Sequence, residues 1–189
     1  MSVKNKKRGR PSKTGKTLSA EAVVKSAVGL LRQSGKVPSI RQIACALNVD
    51  PMAIYYYYPN KATLLEAVAV DLMESIYEPD GYESWQTELM YLCDSYLELL
   101  RDHAGLLDTM LSMSSFGPAQ IFNSRFHTII SPLKLATSDM KDALDLLVDY
   151  LHGFVLSVRC NKGECPPTVD MTRGPIKLVI NALEGKSLK

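Results

Sequence analysis

The sequence has no uninterrupted apolar run that could cross a membrane. A bilayer span needs about 18 or more consecutive apolar residues, and no stretch of that length is free of charged side chains. The charged N-terminal residues are not followed by an apolar segment, so they do not have the form of a secretory signal. We therefore expect a protein that does not enter the membrane and that works in the cytoplasm.

Residues that build metal centres and nucleophilic sites are also scarce. There are four cysteines and three histidines in 189 residues. The one close pair of cysteines has no histidine near it to complete a zinc site, and no nucleophile motif or phosphate-binding glycine loop is visible. The sequence predicts no metal, no cofactor and no catalytic residues, hence no enzyme. The residues concerned are Cys45, Cys93, Cys160, Cys165, His103, His127 and His152.

Charge is distributed very unevenly along the chain. Residues 1–62 hold twelve Lys or Arg and two acidic residues, a net of +10, whereas residues 63–189 hold ten and eighteen, a net of −8. A basic end that extends into a segment with helical patterning is typical of a protein that binds a polyanion through one end. The patterns of the two segments described next predict that this polyanion is double-stranded DNA.

The first sixteen residues are predicted to form a disordered basic arm, because they contain seven cations, no acid and no aromatic residue. Within the arm, Arg8 and Arg10 flank a glycine and precede a proline, a pattern similar to the AT-hook that lies in a narrow minor groove. A general attraction to phosphates explains the same cations equally well. Both alternatives place Arg8 and Arg10 on DNA.

Residues 17–62 carry the end signals of three short helices. A hydroxyl in the range from Thr17 to Ser19 can cap the first helix, which Gly35 ends. Ser39 and Gln42 have the form of a capping box that opens the second. Asp50, followed by proline, opens the third. A left-handed Asn48 makes the turn between the second and third helices, so the segment predicts a helix-turn-helix.

A fourth helix is expected to follow from about Lys61 to Tyr77, with Asn60 as its cap. This stretch closely resembles the DNA-binding segment of the TetR family of transcriptional regulators, in about fifty consecutive residues. The features in register are Gly35, Ile43-Ala44 with Leu47 and Val49, Ile54-Tyr55, Tyr58-Pro59-Asn60-Lys61, and Leu64-Leu65.

The resemblance implies which residues meet DNA. It places Pro51, Met52 and Ala53 at the tip of the recognition helix. The resemblance also implies that Ile54 points into the core. Of the four tyrosines that follow, Tyr58 would point into the core, Tyr56 would pack partly inward, and Tyr55 and Tyr57 would face DNA. Arg41 is the candidate for a bidentate contact with guanine, and Ser39 and Lys61 are candidates for phosphate contacts. Because the tip is apolar, thymine methyl groups and groove shape would contribute much of the readout.

Residues 63–189 are expected to form a helical body, with amphipathic stretches at about 84–103, 105–114, 118–136, 139–160 and 172–185 and a kink or helix end at Pro132. The resemblance implies that this body binds a ligand, and methionines and aromatic residues suit an adaptable apolar pocket. Each of them is also compatible with ordinary core packing. The candidate pocket residues are Tyr96, His103, Met110, Met113, Phe116, Phe122, Phe126, His127 and Phe154.

The last two long helices carry more apolar residues than one buried face requires, which in TetR-like proteins reflects a four-helix bundle formed with a second copy. We therefore expect an all-α homodimer with an N-terminal helix-turn-helix domain joined by a fourth helix to a ligand-binding and dimerisation domain. The predicted function is a ligand-responsive repressor of transcription that binds a palindromic operator and responds to an unknown small-molecule effector. The alternative is an architectural DNA-binding protein without a small-molecule switch.

Overall fold

The computed structural model describes residues 18–103, 105–113, 117–161 and 167–187, and within these ranges the chain forms α-helices and short 3₁₀ turns without strands. The predicted arm, with Arg8 and Arg10, and the pocket candidate Phe116 lie outside the described residues. The helices are α1 Ala20–Ser34, α2 Ile40–Leu47, α3 Pro51–Tyr57, α4 Lys61–Glu74, α5 Trp85–Asp102, α6 Leu106–Ser112, α7 Gly117–Ile130, α8 Thr137–Cys160 and α9 Arg173–Ser187.

The first four helices begin where their cap residues predict. Ser19 caps α1, and Gly35 ends it with a left-handed φ of 63°. Ser39 and Gln42 form the complete capping box of α2, and Asn48 takes the left-handed conformation at φ 54°. Asp50 caps α3, accepting a 2.8 Å hydrogen bond from the backbone N–H of Met52. These side-chain bonds satisfy backbone donors that a helix leaves without partners.

The N-terminal helices share one apolar interior. Ala27 of α1, Ile43 and Ala44 of α2, and Ile54 of α3 are all essentially inaccessible to solvent. α2 packs on both α1 and α3. Burial of these side chains fixes the angle between α2 and α3, which the left-handed Asn48 allows the chain to reach in a short turn.

Helix α4 connects this unit to the rest of the chain, because it packs against α1 and also against α5, α6 and α7. Its buried side chains include Val68, Ala69, Leu72 and Met73. A displacement of α4 therefore changes packing on both sides of it.

The C-terminal helices complete the body. α7 ends at Ile130, and Pro132 lies in a 3₁₀ turn directly after it, as the missing N–H of proline predicts. α8 contacts α5, α7 and α9, and it buries Leu147 and Leu151 against them. No helix in the described ranges is long and apolar enough to span a bilayer.

Candidate nucleic-acid interface and internal cavity

Helices α2 and α3 present an exposed surface beside the turn at residues 48–50. Arg41, in the first turn of α2, is exposed, and it has no ion pair with any described residue. Ser39 is also exposed, and its hydroxyl donates a 2.9 Å bond to Gln42 Oε1 within the capping box. A free guanidinium next to a helix N-terminus suits a phosphate or a guanine edge.

The tip of α3 is apolar and largely open. Met52 has 71% of its surface exposed, whereas Pro51 and Ala53 are half-buried. Lys61, at the first position of α4, is exposed. The side chain that extends furthest into solvent at this tip is thus a flexible thioether, which can contact a thymine methyl group but cannot donate a hydrogen bond to a base.

The structure corrects the predicted directions of two tyrosines. Tyr57, expected to face DNA, is half-buried, and its hydroxyl donates a 2.6 Å hydrogen bond to the carbonyl oxygen of Leu18. Tyr56, expected to pack partly inward, is 84% exposed. The reason is helical geometry: three residues after the buried Ile54 the helix has turned about 300°, almost a full turn, while two residues after it the side chain points to the opposite side. Tyr55 is exposed, as predicted.

A cavity of about 310 Å³, open to solvent on the side where Asn123, Asp145 and Asp149 are exposed, lies in the body between α4, α5, α6, α7 and α8. Three predicted pocket residues line it: Tyr96, Met110 and Phe122. The ring centroids of Tyr96 and Phe122 are 4.9 Å apart with the rings tilted. Aromatic and thioether groups on its wall suit an apolar ligand of modest size.

A polar pair formed by the buried Tyr96 and the half-buried His152 interrupts the apolar wall. The Tyr96 hydroxyl and His152 Nε2 are hydrogen-bonded at 2.7 Å. Burial lowers the pKa of the His152 imidazole, against an opposing effect of the Asp149 carboxylate, and burial raises the pKa of the Tyr96 hydroxyl. Both groups are therefore neutral near pH 7, and the pair offers hydrogen bonding without charge.

The sequence did not single out several residues of the cavity. His152 had been considered only as a metal ligand, and nothing in the linear pattern brings it to Tyr96, 56 positions away. The other lining residues missed are Met73, Ala119, Asn123, Leu144, Asp145, Val148 and Asp149. Those from α8 follow one another at helical spacing, a signal that identifies a common face but not what that face meets.

Five of the predicted pocket residues lie outside this cavity. Phe126 is fully buried in the core, and His127 next to it points to solvent. Met113 packs against the core. His103 is buried beside a cleft that Arg32 also lines, where burial and the Arg32 guanidinium lower the pKa of its imidazole. Phe154 lines a separate apolar pocket of about 100 Å³.

Neither Arg101 nor Arg125 supplies a positive charge to the cavity. Arg101 is exposed and pairs with Asp102. Arg125, on α7, extends to the end of α4, where Nη1 donates a 2.6 Å bond to the Ile76 carbonyl and Nη2 donates a 3.0 Å bond to the Glu74 carbonyl. The guanidinium thereby caps carbonyl groups that the helix leaves unpaired.

The outer sides of α8 and α9 carry uncovered apolar residues in the single chain, beside exposed charged residues such as Asp142 and Lys177. Leu146 on α8 is 61% exposed and Leu178 on α9 is 70% exposed. Gly153, which lies on the same side of α8, has open space where a side chain would begin. A face of leucines and small residues of this kind favours a closely approaching helix pair.

Comparisons with known proteins agree with this architecture. Residues 23–68 match the family model described as "Bacterial regulatory proteins, tetR family". No curated protein sequence matches the chain significantly.

Solved structures share the fold over almost the whole chain. BioQ bound to its natural double-stranded DNA operator is 20% identical with a TM-score of 0.69, covering 88% of this chain and 98% of its own. Apo ActR from Streptomyces coelicolor is 17% identical with a TM-score of 0.76, covering 90% and 96%.

The same ActR in complex with actinorhodin is 16% identical with a TM-score of 0.73, covering 92% of this chain and 100% of its own. Identities at this level show a common fold. The family model covers the segment in which α1, α2 and α3 form the helix-turn-helix. Residues 23–68 therefore match the DNA-binding segment of the tetR family of bacterial regulatory proteins, and the chain as a whole shares the fold of these solved structures.

Proposed function

We propose that this chain is a ligand-responsive transcriptional repressor that binds a palindromic DNA operator as a homodimer. The observation that carries the proposal is that one chain combines an exposed helix-turn-helix surface with a separate cavity. Helix α4 connects the two, because it packs on α1 and lines the cavity through Met73. Residues 17–62 form the DNA-binding domain in this proposal, residues 63–189 form the ligand-binding and dimerisation domain, and the basic arm at residues 1–16 adds cations. Regulators of the tetR family are generally not enzymes, so the proposed role is non-catalytic. The proposed location is the cytoplasm, where operator DNA lies.

DNA contact is assigned to the exposed face of α2 and α3. Arg41 would bind a guanine edge or a phosphate, while Met52 and the aromatic rings of Tyr55 and Tyr56 would contact thymine methyl groups and sugars. Tyr56 replaces Tyr57 in this role, because the Tyr57 hydroxyl is engaged with Leu18. Further contacts are proposed for Ser39, Pro51, Ala53, Lys61 and, on the arm, Arg8 and Arg10.

The second copy is proposed to cover the apolar face of α8 and α9. Exposed leucines such as Leu146 and Leu178 are unfavourable in water, and a two-fold axis at this face would bury each against its symmetry mate or neighbour. Dimers with helix-turn-helix heads bind half-sites about 34–36 Å apart, one turn of DNA. A palindrome with that spacing is the expected operator.

The cavity is proposed to hold the effector. The wall contributed by α7 includes Phe122, and one turn further along the same helix Arg125 is bonded to the end of α4. A ligand that moves α7 would therefore displace α4 and with it the packing of α1. If the ligand binds more tightly to the arrangement that misplaces the two heads, it releases DNA. The relatives bound to DNA and to actinorhodin support each half of this scheme on the same fold.

Selection from a random duplex library tests the proposal. The purified full-length protein is incubated with the library at near-physiological salt, and the retained duplexes are sequenced. The proposal expects one motif with dyad symmetry and half-sites about one helical turn apart.

Enrichment of A·T-rich duplexes without dyad symmetry would instead support an architectural DNA-binding protein. The apolar tip of α3 at Met52 is the observation that favours this second candidate, because a tip without hydrogen-bond donors distinguishes bases weakly. Retention of no sequence class would contradict both.

A further inference from the structure

The cavity in the body has a definite charge as well as an apolar wall. Among the described residues that line it, Asp145 and Asp149 are the acidic ones, both are exposed, and none of these residues is a Lys or Arg. The two carboxylates lie one turn apart on α8. The pair of Tyr96 and His152 adds no charge, since both groups are neutral there.

The two carboxylates are not equivalent. Lys141, one turn earlier on α8, pairs with Asp145, which leaves that site close to neutral. Asp149 is exposed and has no ion pair with any described residue, and its carboxylate acts on the imidazole of His152. Asp149 therefore contributes an unpaired negative charge to the solvent-exposed side of the cavity.

The rest of the wall suits a flat aromatic body. The tilted rings of Tyr96 and Phe122 stand 4.9 Å apart, and the thioethers of Met73 and Met110 line the same space. Aromatic faces attract cations as well as other rings, and a cation held between a ring and a carboxylate is stabilised by both. Anionic ligands would meet an uncompensated carboxylate at close range.

We propose that the effector of this protein is an aromatic cation, whose ring system lies against Phe122 and whose amine or quaternary ammonium group lies beside Asp149. The inference rests on the proposed function, because it names the chemical class of ligand for the same cavity. It expects carboxylic acids, phosphates and sulfonates to bind more weakly than cations with the same ring system.

A matched set of three probes tests the charge preference. Naphthylmethyl trimethylammonium, naphthylmethanol and naphthoate share one ring system and differ in charge. Calorimetric titration of the full-length protein is expected to show the cation binding about tenfold more tightly than the alcohol, with naphthoate weaker than both. Equal affinity for cation and alcohol, or failure of the cation to bind, overturns the proposal.

Variants on α8 localise the effect. Asp149→Asn is expected to weaken the cation about fivefold to tenfold and to change affinity for the alcohol less than twofold. Asp142→Asn, an exposed carboxylate on the same helix that does not line this cavity, is the control and is expected to leave both affinities unchanged. Identical behaviour of the two variants contradicts the role given to Asp149.

The outcome is separable from that of the proposed function. Retention of DNA is measured on the same preparation without any probe. If a DNA motif is selected while the cation binds no better than the alcohol, the ligand class is wrong and the regulator stands. If no DNA is retained, the proposed function fails whatever the probes show.

Discussion

Arg125 and Ile76 are joined by a 2.6 Å hydrogen bond from the guanidinium Nη1 on α7 to the carbonyl oxygen just beyond α4. The same guanidinium also donates to the carbonyl oxygen of Glu74. One side chain therefore ties the helix that lines the cavity to the helix that supports the DNA-binding unit. It adds to the link made by α4 itself, which lines the cavity through Met73 and packs on α1.

Removal of this link should be costly. Arg125→Ala is expected to lower the free energy of unfolding by about 1.5–3 kcal/mol, because charge-assisted bonds are lost and helix-end carbonyls are left unpaired. Urea unfolding followed by circular dichroism measures it. Arg101→Ala, which removes an exposed arginine paired with its neighbour Asp102, is the control and should change stability by less than about 0.5 kcal/mol. Equal losses in the two variants would show that the bonds to α4 contribute nothing special.

The corrected directions of the tyrosines predict opposite phenotypes for neighbouring positions. Tyr56→Ala is expected to weaken binding to the selected duplex about tenfold with little change in stability, because the ring is exposed and proposed to touch DNA. Tyr57→Phe removes the hydroxyl that donates to Leu18, so it should cost about 1 kcal/mol of stability and leave DNA affinity intact. Fluorescence anisotropy and thermal unfolding separate the two. The reverse pattern would restore the original assignment of Tyr57 to DNA.

Much of this region was predictable from the sequence because its signals are local. The caps at Ser19, Ser39 and Asp50 each bond to a backbone group within three residues, so the letters alone locate the helix starts. For the tyrosines the resemblance and helical geometry disagree, because the angle from the buried Ile54 turns Tyr57 inward and Tyr56 outward. In a seven-residue helix, the position of the one buried residue determines which side is exposed. The residue that accepts the hydrogen bond of Tyr57, Leu18, lies 39 positions away in the sequence.

The cavity was harder to predict, because long-range packing decides which apolar side chains leave space between them. Phe122 and Phe126 are one turn apart on α7 and look alike in sequence, yet the first lines the cavity and the second is sealed in the core. The Tyr96 and His152 bond depends on how α5 and α8 pack. No local sequence pattern predicts that α5 and α8 bring these two side chains together.

A single substitution on the outer face of α9 should separate the proposed dimer. Leu178→Arg puts a charge at the centre of an apolar face and is expected to shift the protein from dimer to monomer at micromolar concentration in sedimentation velocity experiments. Leu111→Arg, on α6, makes the same change at a leucine of comparable exposure, 60%, and should leave the dimer intact. A variant at Leu178 that stays dimeric would place the interface elsewhere.

Glu88 is a buried carboxylate with a structural task. Its Oε1 accepts a 2.8 Å bond from the Gly81 N–H, a 3.1 Å bond from the Asp80 N–H and a 3.2 Å bond from the Tyr77 hydroxyl. Glu88→Ala should destabilise the protein by about 2–3 kcal/mol, since these donors lose their acceptor. Glu88→Gln keeps an oxygen that can accept and is expected to cost less. Chemical unfolding curves of both variants decide; equal losses would mean that the acceptor is not what matters.

Acidification should weaken the fold through the half-buried His152 and the buried His103. Because burial lowers the pKa of His152 in the folded protein, the contribution to stability is full above the unfolded value of about 6.5 and is lost as pH falls below it. His152→Gln is expected to flatten the decline in stability between about pH 6.5 and 5. His103, whose pKa is also lowered, adds an independent share, so the variant with both histidines replaced should be flatter still. Unchanged slopes would contradict the direction given for His152.

The central claim is that two copies, joined through α8 and α9, read one symmetric DNA site. Parallel selections from a random duplex library, one with the native protein and one with Leu178→Arg, test it most directly. The native protein is predicted to enrich a motif with dyad symmetry, and the variant is predicted to lose the second half-site or to retain DNA much more weakly. The same asymmetric motif from both proteins, or no motif from the native one, would contradict the account.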